Sequence, residues 1–472
     1  MNEAAQIPVK QLPSESAEPV SLYKKHEPIH AHFVGGYWQQ VRKLVAAILL
    51  IGFFAGPWLT WHGQQAILLD LPARQFHLFG LNIWPQDLWM LGWLLMMAAL
   101  GLFAITNVVG RLWCGYICPQ TVWTTLFMWV ERHTEGSARR RKKLAAEKWG
   151  TEKVLRRAAK YTGYFLISAL TAATFVAYFT PAQALFTSLA TLNVLSLEPW
   201  TQFWLLFFTA ATLFAAGWAR EQMCIYMCPY ARFQGSMIDD DTLTVSYDAN
   251  RGDPRGSRKQ SGPLGDCIDC RLCVQVCPTG IDIRDGLQYQ CIGCAHCIDA
   301  CNQVMGKIGR EQNLIGYTSL NVLQGKPFRW LRPRSVGYAA VCAGLAAAFL
   351  FAVVNRATID LDLLRDRGSL YQVRTAGLVS NEYQLKAMNK GSEAIHLSVT
   401  ITSPTWLTIE GNVAVDLQPG ELRNLPLTLV ATRPPAGATD VQIALCQRDH
   451  KDQCVSETTS FIAPRSSRET SS

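Results

Sequence analysis

Charge is scarce in this 472-residue chain, with only 17% of residues Asp, Glu, Lys or Arg, against about 25% in a typical soluble protein. That shortage, beside 49% hydrophobic residues, excludes a disordered, collagen-like or ordinary cytosolic chain. The mean hydropathy of +0.08 is too low for a protein that is membrane throughout. Histidine is missing where haem would need it. None of the nine histidines lies in a long apolar stretch, so a bis-histidine b-type haem in a bilayer has no ligands. No C-x-x-C-H occurs, which excludes covalent c-type haem. No Gly-rich fingerprint follows a strand, no Walker loop is present, and no flavin, nicotinamide or quinone site is visible. The first apolar run begins near Val41, too late for the h-region of a signal peptide.

What is present is a set of membrane spans alternating with water-soluble parts. Residues 1–40 carry Pro8, Pro13, Pro19 and Pro28 with no hydrophobic period and read as a flexible cytoplasmic tail. Five stretches, about 41–61, 88–109, 161–179, 200–219 and 336–354, approach the roughly 20 apolar residues that cross a bilayer. The first four belong to a segment 41–235 and the fifth stands alone. Basic residues set the orientation. Arg42 and Lys43 flank the first stretch, Arg139, Arg140, Arg141, Lys142 and Lys143 lie in the second connection, and Arg329, Arg332 and Arg334 precede the last stretch. The first connection has only Arg74 and the third has no basic residue. The N-terminus and the 236–335 region are therefore expected in the cytoplasm, and the C-terminal part outside. The run 139–143 reads as an anchor beside anionic membrane lipid, not a nucleic-acid site.

From about residue 357 to 472 the pattern changes to alternating runs at 395–401, 413–417, 425–430 and 441–445, separated by turn clusters such as Gln418-Pro419-Gly420. Short strands at this spacing predict a periplasmic immunoglobulin-like β-sandwich. Cys446 and Cys454 could pair as a disulfide there or stand as two thiols.

Eight of the fifteen cysteines fall in a doublet. Cys267, Cys270, Cys273 and Cys277-Pro278 read C-x2-C-x2-C-x3-C-P, and Cys291, Cys294, Cys297 and Cys301 repeat the spacing. Three close thiolates can cap three irons of a cubane, and in two-cluster ferredoxins the fourth cysteine of each run ligates the other cluster. The prediction is one [4Fe–4S] centre on Cys267, Cys270, Cys273 and Cys301 and another on Cys291, Cys294, Cys297 and Cys277. Zinc, the alternative, usually takes two separated pairs. Asn302 stands where proline would be usual after Cys301. His296, inside the second run, is placed to tune that cluster.

A second repeat is Cys114-Gly115-Tyr116-Ile117-Cys118-Pro119 and Cys224-Ile225-Tyr226-Met227-Cys228-Pro229, each after a span that runs inward. Two helical hairpins would deliver matched thiol pairs to one depth, with Cys118 and Cys228 at helix N-caps, where the helix dipole lowers a thiol pKa. Small packing residues near a helix break are the plainer reading. Matched soft thiols, with Met223 and Met227 beside them, suit Cu(I). His26, His30 and His32 could receive Cu(II), or form a solvated polar tail.

Five spans, two C-x-Y-x-C-P repeats, a paired cluster loop and a β-sandwich tail together resemble the CcoG/FixG/RdxA family, accessory proteins for assembly of cbb-type cytochrome c oxidase. The resemblance covers the chain from about His26 onward. It implies a bacterial inner-membrane protein, a homodimer, that reduces Cu(II) to Cu(I) as substrate for delivery to the oxidase through assembly factors or copper chaperones. It also implies cluster ligation by the eight cysteines 267–301 and copper or redox roles for Cys114, Cys118, Cys224 and Cys228. The competing readings are an electron-transfer subunit passing quinol-derived electrons to a partner protein, and an assembly scaffold whose clusters turn nothing over.

Overall fold

The structure, a computed structural model, describes residues 29–464 apart from 62, 73–74, 80, 85–86, 257–262, 367–368, 375–377, 392, 412–413 and 449–453. His26 and most of the polar tail lie outside the described residues. Residues 29–36 do not hang free: the His32 amide bonds the Gln275 carbonyl at 2.9 Å, and Val34 packs on Val276 and Ala300.

Helix α1 (Tyr37–Ala55) starts four residues earlier than the hydrophobic run predicts, taking Arg42 and Lys43 inside it. The cause is remote in sequence. The Asp299 carboxylate accepts from the amides of Trp38 (3.2 Å) and Gln39 (2.8 Å), capping donors that a helix start leaves unmet. The first connection is not a plain loop. It holds β1 (Thr60–Trp61) paired with β2 (Gln64–Gln65), and a three-stranded sheet of β3 (Ile67–Asp70), β4 (Gln75–Leu78) and β5 (Leu81–Ile83). Helix α2 (Leu88–Val109) keeps the expected bounds. The second connection is mostly helical: α3 (Leu112–Tyr116), α4 (Pro119–Thr134) and α5 (Ala138–Ala146). Then come α6 (Thr151–Val176), α7 (Ala182–Ala190), α8 (Pro199–Thr212) continued by π-helical turns at Leu213–Ala219 and Met223–Met227, and α9 (Pro229–Phe233).

The cysteine-rich insert follows. Strand β6 (Thr244–Tyr247) pairs antiparallel with β7 (Ile315–Thr318), and between them lie α10 (Ala249–Gly252), α11 (Leu272–Gln275) and α12 (His296–Ile308). Its core gathers Val245, Ile283, Ile298, Met305 and Leu314 around the cysteines. After α13 (Leu320–Leu323), helix α14 (Pro333–Val354) leads to the C-terminal sandwich.

That sandwich comprises β8 (Ile359–Arg365), β9 (Gln372–Val373), β10 (Leu378–Asn389), β11 (Ile395–Ser403), β12 (Leu407–Glu410), β13 (Ala414–Leu417), β14 (Leu422–Thr432), β15 (Gly437–Gln447) and β16 (Cys454–Ala463). One sheet runs β12-β14-β10-β8 with β9 on β10, and the other runs β13-β11-β15-β16. The inward residues, among them Leu385, Leu397, Leu429, Ile443 and Phe461, form one core between the sheets. Cys446 and Cys454 face each other across β15 and β16 and are joined as a disulfide.

Among the described residues four helices are long and apolar enough to cross a membrane: Tyr37–Trp58, Leu88–Val109, Pro199–Ala219 and Pro333–Val354. The predicted third span is the one that falls short. Helix α6 begins with Lys153, Arg156, Arg157 and Lys160, leaving only its second half apolar. In its first half Lys160 pairs with Glu135 at 3.0 Å. Beyond its far end the Leu69 amide bonds the Tyr178 carbonyl at 2.7 Å, on the side of the first connection. At that far side Asp87, just before α2, pairs with Arg356 (2.6 Å) and Lys390 (3.6 Å), tying α14 and the sandwich to the bundle.

Candidate functional site

The doublet folds into two loops with matched backbone breaks. Each places left-handed residues two and four positions after its first cysteine, Asp269 (φ 50°) and Arg271 (φ 53°) in one, Gly293 (φ 66°) and Ala295 (φ 61°) in the other. Such residues let a tight loop present backbone amides to a bound group. Burial raises the cluster thiols, and nearby amides oppose it, that of Val274 at Cys273, Gly293 at Cys291, His296 at Cys294 and Ile315 at Cys301.

Cys267, Cys270, Cys273 and Cys301 surround one small cavity, while Cys277, Cys291, Cys294 and Cys297 surround a second, with Cys273 on the shared wall. The fourth cysteine of each run therefore stands with the other run's three. Among the described residues no three His, Cys, Asp or Glu side chains converge to hold a single metal ion. Thiols spread around a cavity suit the separate corners of a cubane and not the tight tetrahedron of zinc. The donor set fits two [4Fe–4S] groups. One arginine serves each loop. Arg284, held by Asp282 (2.6 Å) and Asp269 (2.6 Å), lies against Cys267 and Cys273. Arg111 donates to the carbonyls of Tyr289 and of Cys291 (3.0 Å).

The four repeat thiols lie near one another without converging into a preformed single-ion site, so a metal bound there would draw them together. Cys114 lies in the field of Cys118 and Cys228, and Cys224 in that of all three. The Gln234 amide donates to Cys114 Sγ at 3.2 Å. Cys118 and Cys228 sit at the N-caps of α4 and α9, each followed by proline at the first helical position. The expected lowering of the thiol pKa does not follow at Cys118. Burial raises it and outweighs the Thr121 and Gln120 amides that pull it down. Burial likewise pushes Cys114 up to about 11 and Cys224 up to about 12. These thiols stay protonated until a metal displaces the protons.

The two sites touch. Gly115, between Cys114 and Cys118, packs so closely on the second cluster loop that a Cβ there would meet Gly293 O at 2.7 Å and Cys294 Cα at 3.0 Å. Tyr317 Oη donates to Gly293 O (2.6 Å) and accepts from Tyr116 Oη (3.1 Å), fastening the same junction. Arg111 interacts with Cys114, Cys224 and Cys291 and so spans both sites.

Three family models match the chain: a 4Fe-4S binding domain over residues 89–143, a 4Fe-4S dicluster domain over 219–320, and the IG-like fold at the C-terminus of FixG over 349–464. Protein RdxA of Cereibacter sphaeroides is 39% identical over 84% of this chain and 87% of its own. Protein RdxB of the same organism is 39% identical over 85% and 88%, and nitrogen fixation protein FixG of Rhizobium meliloti is 37% identical over 80% of each. The chain belongs to the FixG/RdxA family. It is an iron–sulfur protein of the electron-transfer kind, with apolar helices that mark it as a membrane protein. Both ferredoxin-type matches of this FixG/RdxA protein include one of the C-x-Y-x-C-P repeats.

Each repeat is set up by the same backbone break four residues before its first cysteine. Gly110 adopts φ 56°, ψ −122° and Arg220 φ 43°, ψ −113°. At Gly110 a Cβ would meet Leu243 O at 2.8 Å. Arg220 holds its strained conformation through Glu131, at 2.6 Å, and Tyr164 Oη, at 2.6 Å. Glu131 also binds Arg141. Burial alone would raise the Glu131 carboxyl, but Arg220 and then Arg141 bring it down to about 2. Arg141 is thus buried in an ion network and donates to the Ala31 carbonyl (3.1 Å), so this member of the 139–143 run is not a lipid anchor. Of the histidines, His296 Nε2 meets Arg42 Nη1, and His30 and His32 lie half-buried against the fold. Sequence reasoning missed Arg111, Gly115, Gln234, Glu131 and Arg220. The residue four positions before Cys-x-Tyr-x-Cys-Pro, Gly110 in one copy and Arg220 in the other, was the signal available for Arg220.

Proposed function

We propose that this protein is a membrane-bound cupric reductase that supplies Cu(I) during assembly of a cbb-type cytochrome c oxidase. Cu(II) is the substrate. It binds at Cys114, Cys118, Cys224 and Cys228, accepts one electron, and remains on sulfur as Cu(I), the copper state that thiolates prefer. Cys267, Cys270, Cys273 and Cys301 would hold one [4Fe–4S] group and Cys291, Cys294, Cys297 and Cys277 the other. When bound, these groups supply one-electron storage and transfer. The chain's own part is to desolvate the copper thiols, to hold them against the second cluster loop, and to place Arg111 where it offsets negative charge on both.

The observation that carries this reading is the contact of Gly115 with Gly293 and Cys294. Helix α6 completes a five-span bundle in this proposal, with the cysteine insert in the bacterial cytoplasm and the sandwich in the periplasm. The Cys446–Cys454 disulfide is in keeping with an oxidising compartment. A homodimer in contact with a copper chaperone or oxidase assembly factor is part of the same proposal. The test is replacement of all four repeat cysteines by serine in the anaerobically purified protein. Cu(I) binding and formation, read with a Cu(I)-specific chelator, should vanish while the iron–sulfur absorbance survives. Full copper reduction by that variant would refute the assignment and favour transfer to a partner protein.

A further inference from the structure

A cavity of about 560 Å³ lies beside both redox sites, and the functions assigned above leave it without an occupant. Its volume is in the range that holds a small organic ligand. One wall is a single face of α1 carrying Gln39, Ala46 and Leu50, and Thr125 and Trp129 of α4 stand on the opposite wall. The neighbouring face of α1, with Leu44, Ile48 and Ile51, is exposed and apolar, so the cavity adjoins the surface that lipid would cover. At its inner end stand Cys224 of the thiol quartet and Thr279, whose hydroxyl lies 3.3 Å from Cys277 Sγ.

The mostly apolar walls carry buried polar atoms that bond nothing in the protein, Gln39 Oε1 and His296 Nδ1. Gln39 is only 5% exposed. Burying such an atom unpaired is costly, which points to a ligand that satisfies it. Gln39 Oε1 is an acceptor and wants a hydroxyl or amine donor. The hydroxyl of a hydroquinone supplies such a donor on an apolar ring; a lipid headgroup with its own hydroxyl or ammonium, drawn by Arg42, Lys43 and Arg132 of the lining, is the competitor that the titration tests. An apolar ring with hydroxyl groups, arriving from the lipid, and able to give up electrons beside cluster-binding loops describes one chemical class.

We propose that this cavity binds a membrane quinol, and that the quinol is the reductant of the copper reaction. The proposal rests on the copper-reductase reading for its acceptor, and on the cavity alone for its ligand. The balance is one quinol and two Cu(II) giving one quinone, two Cu(I) and two protons. Both O–H bonds of the quinol break. The electrons leave singly, one to each copper, and the protons pass to water; half-buried His32 is among the lining residues.

The experiment uses the full chain with its clusters in detergent. Decylubiquinone is titrated while tryptophan fluorescence is followed. Saturable quenching is expected, largely lost in Trp129→Phe, with affinity at least tenfold weaker in Ala46→Phe and in Gln39→Leu. The iron–sulfur absorbance of each variant reports that it has folded. Decylubiquinol should then be consumed at one per two Cu(I) formed by the unaltered protein. Quenching that is equal in all variants, or that phosphatidylglycerol abolishes by competition, would overturn the proposal. So would a protein that reduces Cu(II) after dithionite treatment yet never oxidises the quinol. If dithionite-treated protein fails to reduce Cu(II), the copper reading falls, and the quenching titration still decides the quinol site by itself.

Discussion

Replacing Gly115 by alanine should separate folding from electron transfer. The new Cβ would lie 2.7 Å from Gly293 O, 2.9 Å from Gly293 C and 3.0 Å from Cys294 Cα, all of them backbone atoms. Ordinary contact begins at 3.4 Å, so the loops must part by about 0.7 Å (3.4 minus 2.7). Overpacking of this kind costs about 1–3 kcal/mol, and the gain from alanine in a helix returns about 1 kcal/mol. The fold should therefore survive with a net loss of about 0–2 kcal/mol. Copper reduction should fall further, by about tenfold or more, because a sub-ångström displacement of reacting partners is costly out of proportion to its energy. Gly115→Val should extend both trends. Gly92→Ala, where nothing lies within 4 Å, serves as the control. The assay is the rate of Cu(I) formation by dithionite-reduced protein, with iron and sulfide content and thermal unfolding measured alongside. Gly115→Val at the unaltered rate with full cluster content would refute the idea that the junction matters.

Arg111→Met should lower the reduction potential of the cluster beside Cys291 and leave the other unchanged in a potentiometric EPR titration, since it removes a positive charge from one loop only. Glu131→Gln should destabilise by about 3–5 kcal/mol in thermal unfolding, because Arg141 and Arg220 lose their buried partner. Glu131 has its carboxyl held at about 2 against an ordinary 4.5, so its contribution is complete above about pH 4.5 and is lost as pH falls toward 2. The glutamine variant should lack that acid-side loss. Replacing Cys446 and Cys454 by serine opens a link of sequence separation 8, which should cost about 2–3 kcal/mol of sandwich stability and leave copper reduction untouched.

Local rules found the local features. The period of the cysteines gives the two loops and the crossing of Cys277 and Cys301, because the spacing itself builds the turn. Apolar runs gave α2 and α14 nearly to the residue. Prolines 119 and 229 placed the caps at Cys118 and Cys228. What escaped depends on partners distant in the chain. Helix α1 begins early because of Asp299, more than two hundred residues away. Helix α4 has a mixed face that buries Phe127, Val130 and Glu131 against α6 and the π-helical turn, so no single apolar run announced it. The thiol pKa at Cys118 went the other way because desolvation depends on surroundings that a motif does not encode.

The two turns at Gly110 and Arg220 share a shape and differ in what they hold. One is bare, so that the strand entry at Leu243 can lie directly on it; the other carries a guanidinium that reaches back into the helices. The motif is thus a doubled module whose copies have specialised, one as a socket for the extramembrane insert and one as a post for the bundle. Neither could stand in for the other. A chimera built from the first copy twice would leave Glu131 with Arg141 as its one remaining arginine, and one built from the second copy twice would leave the insert with nowhere to seat.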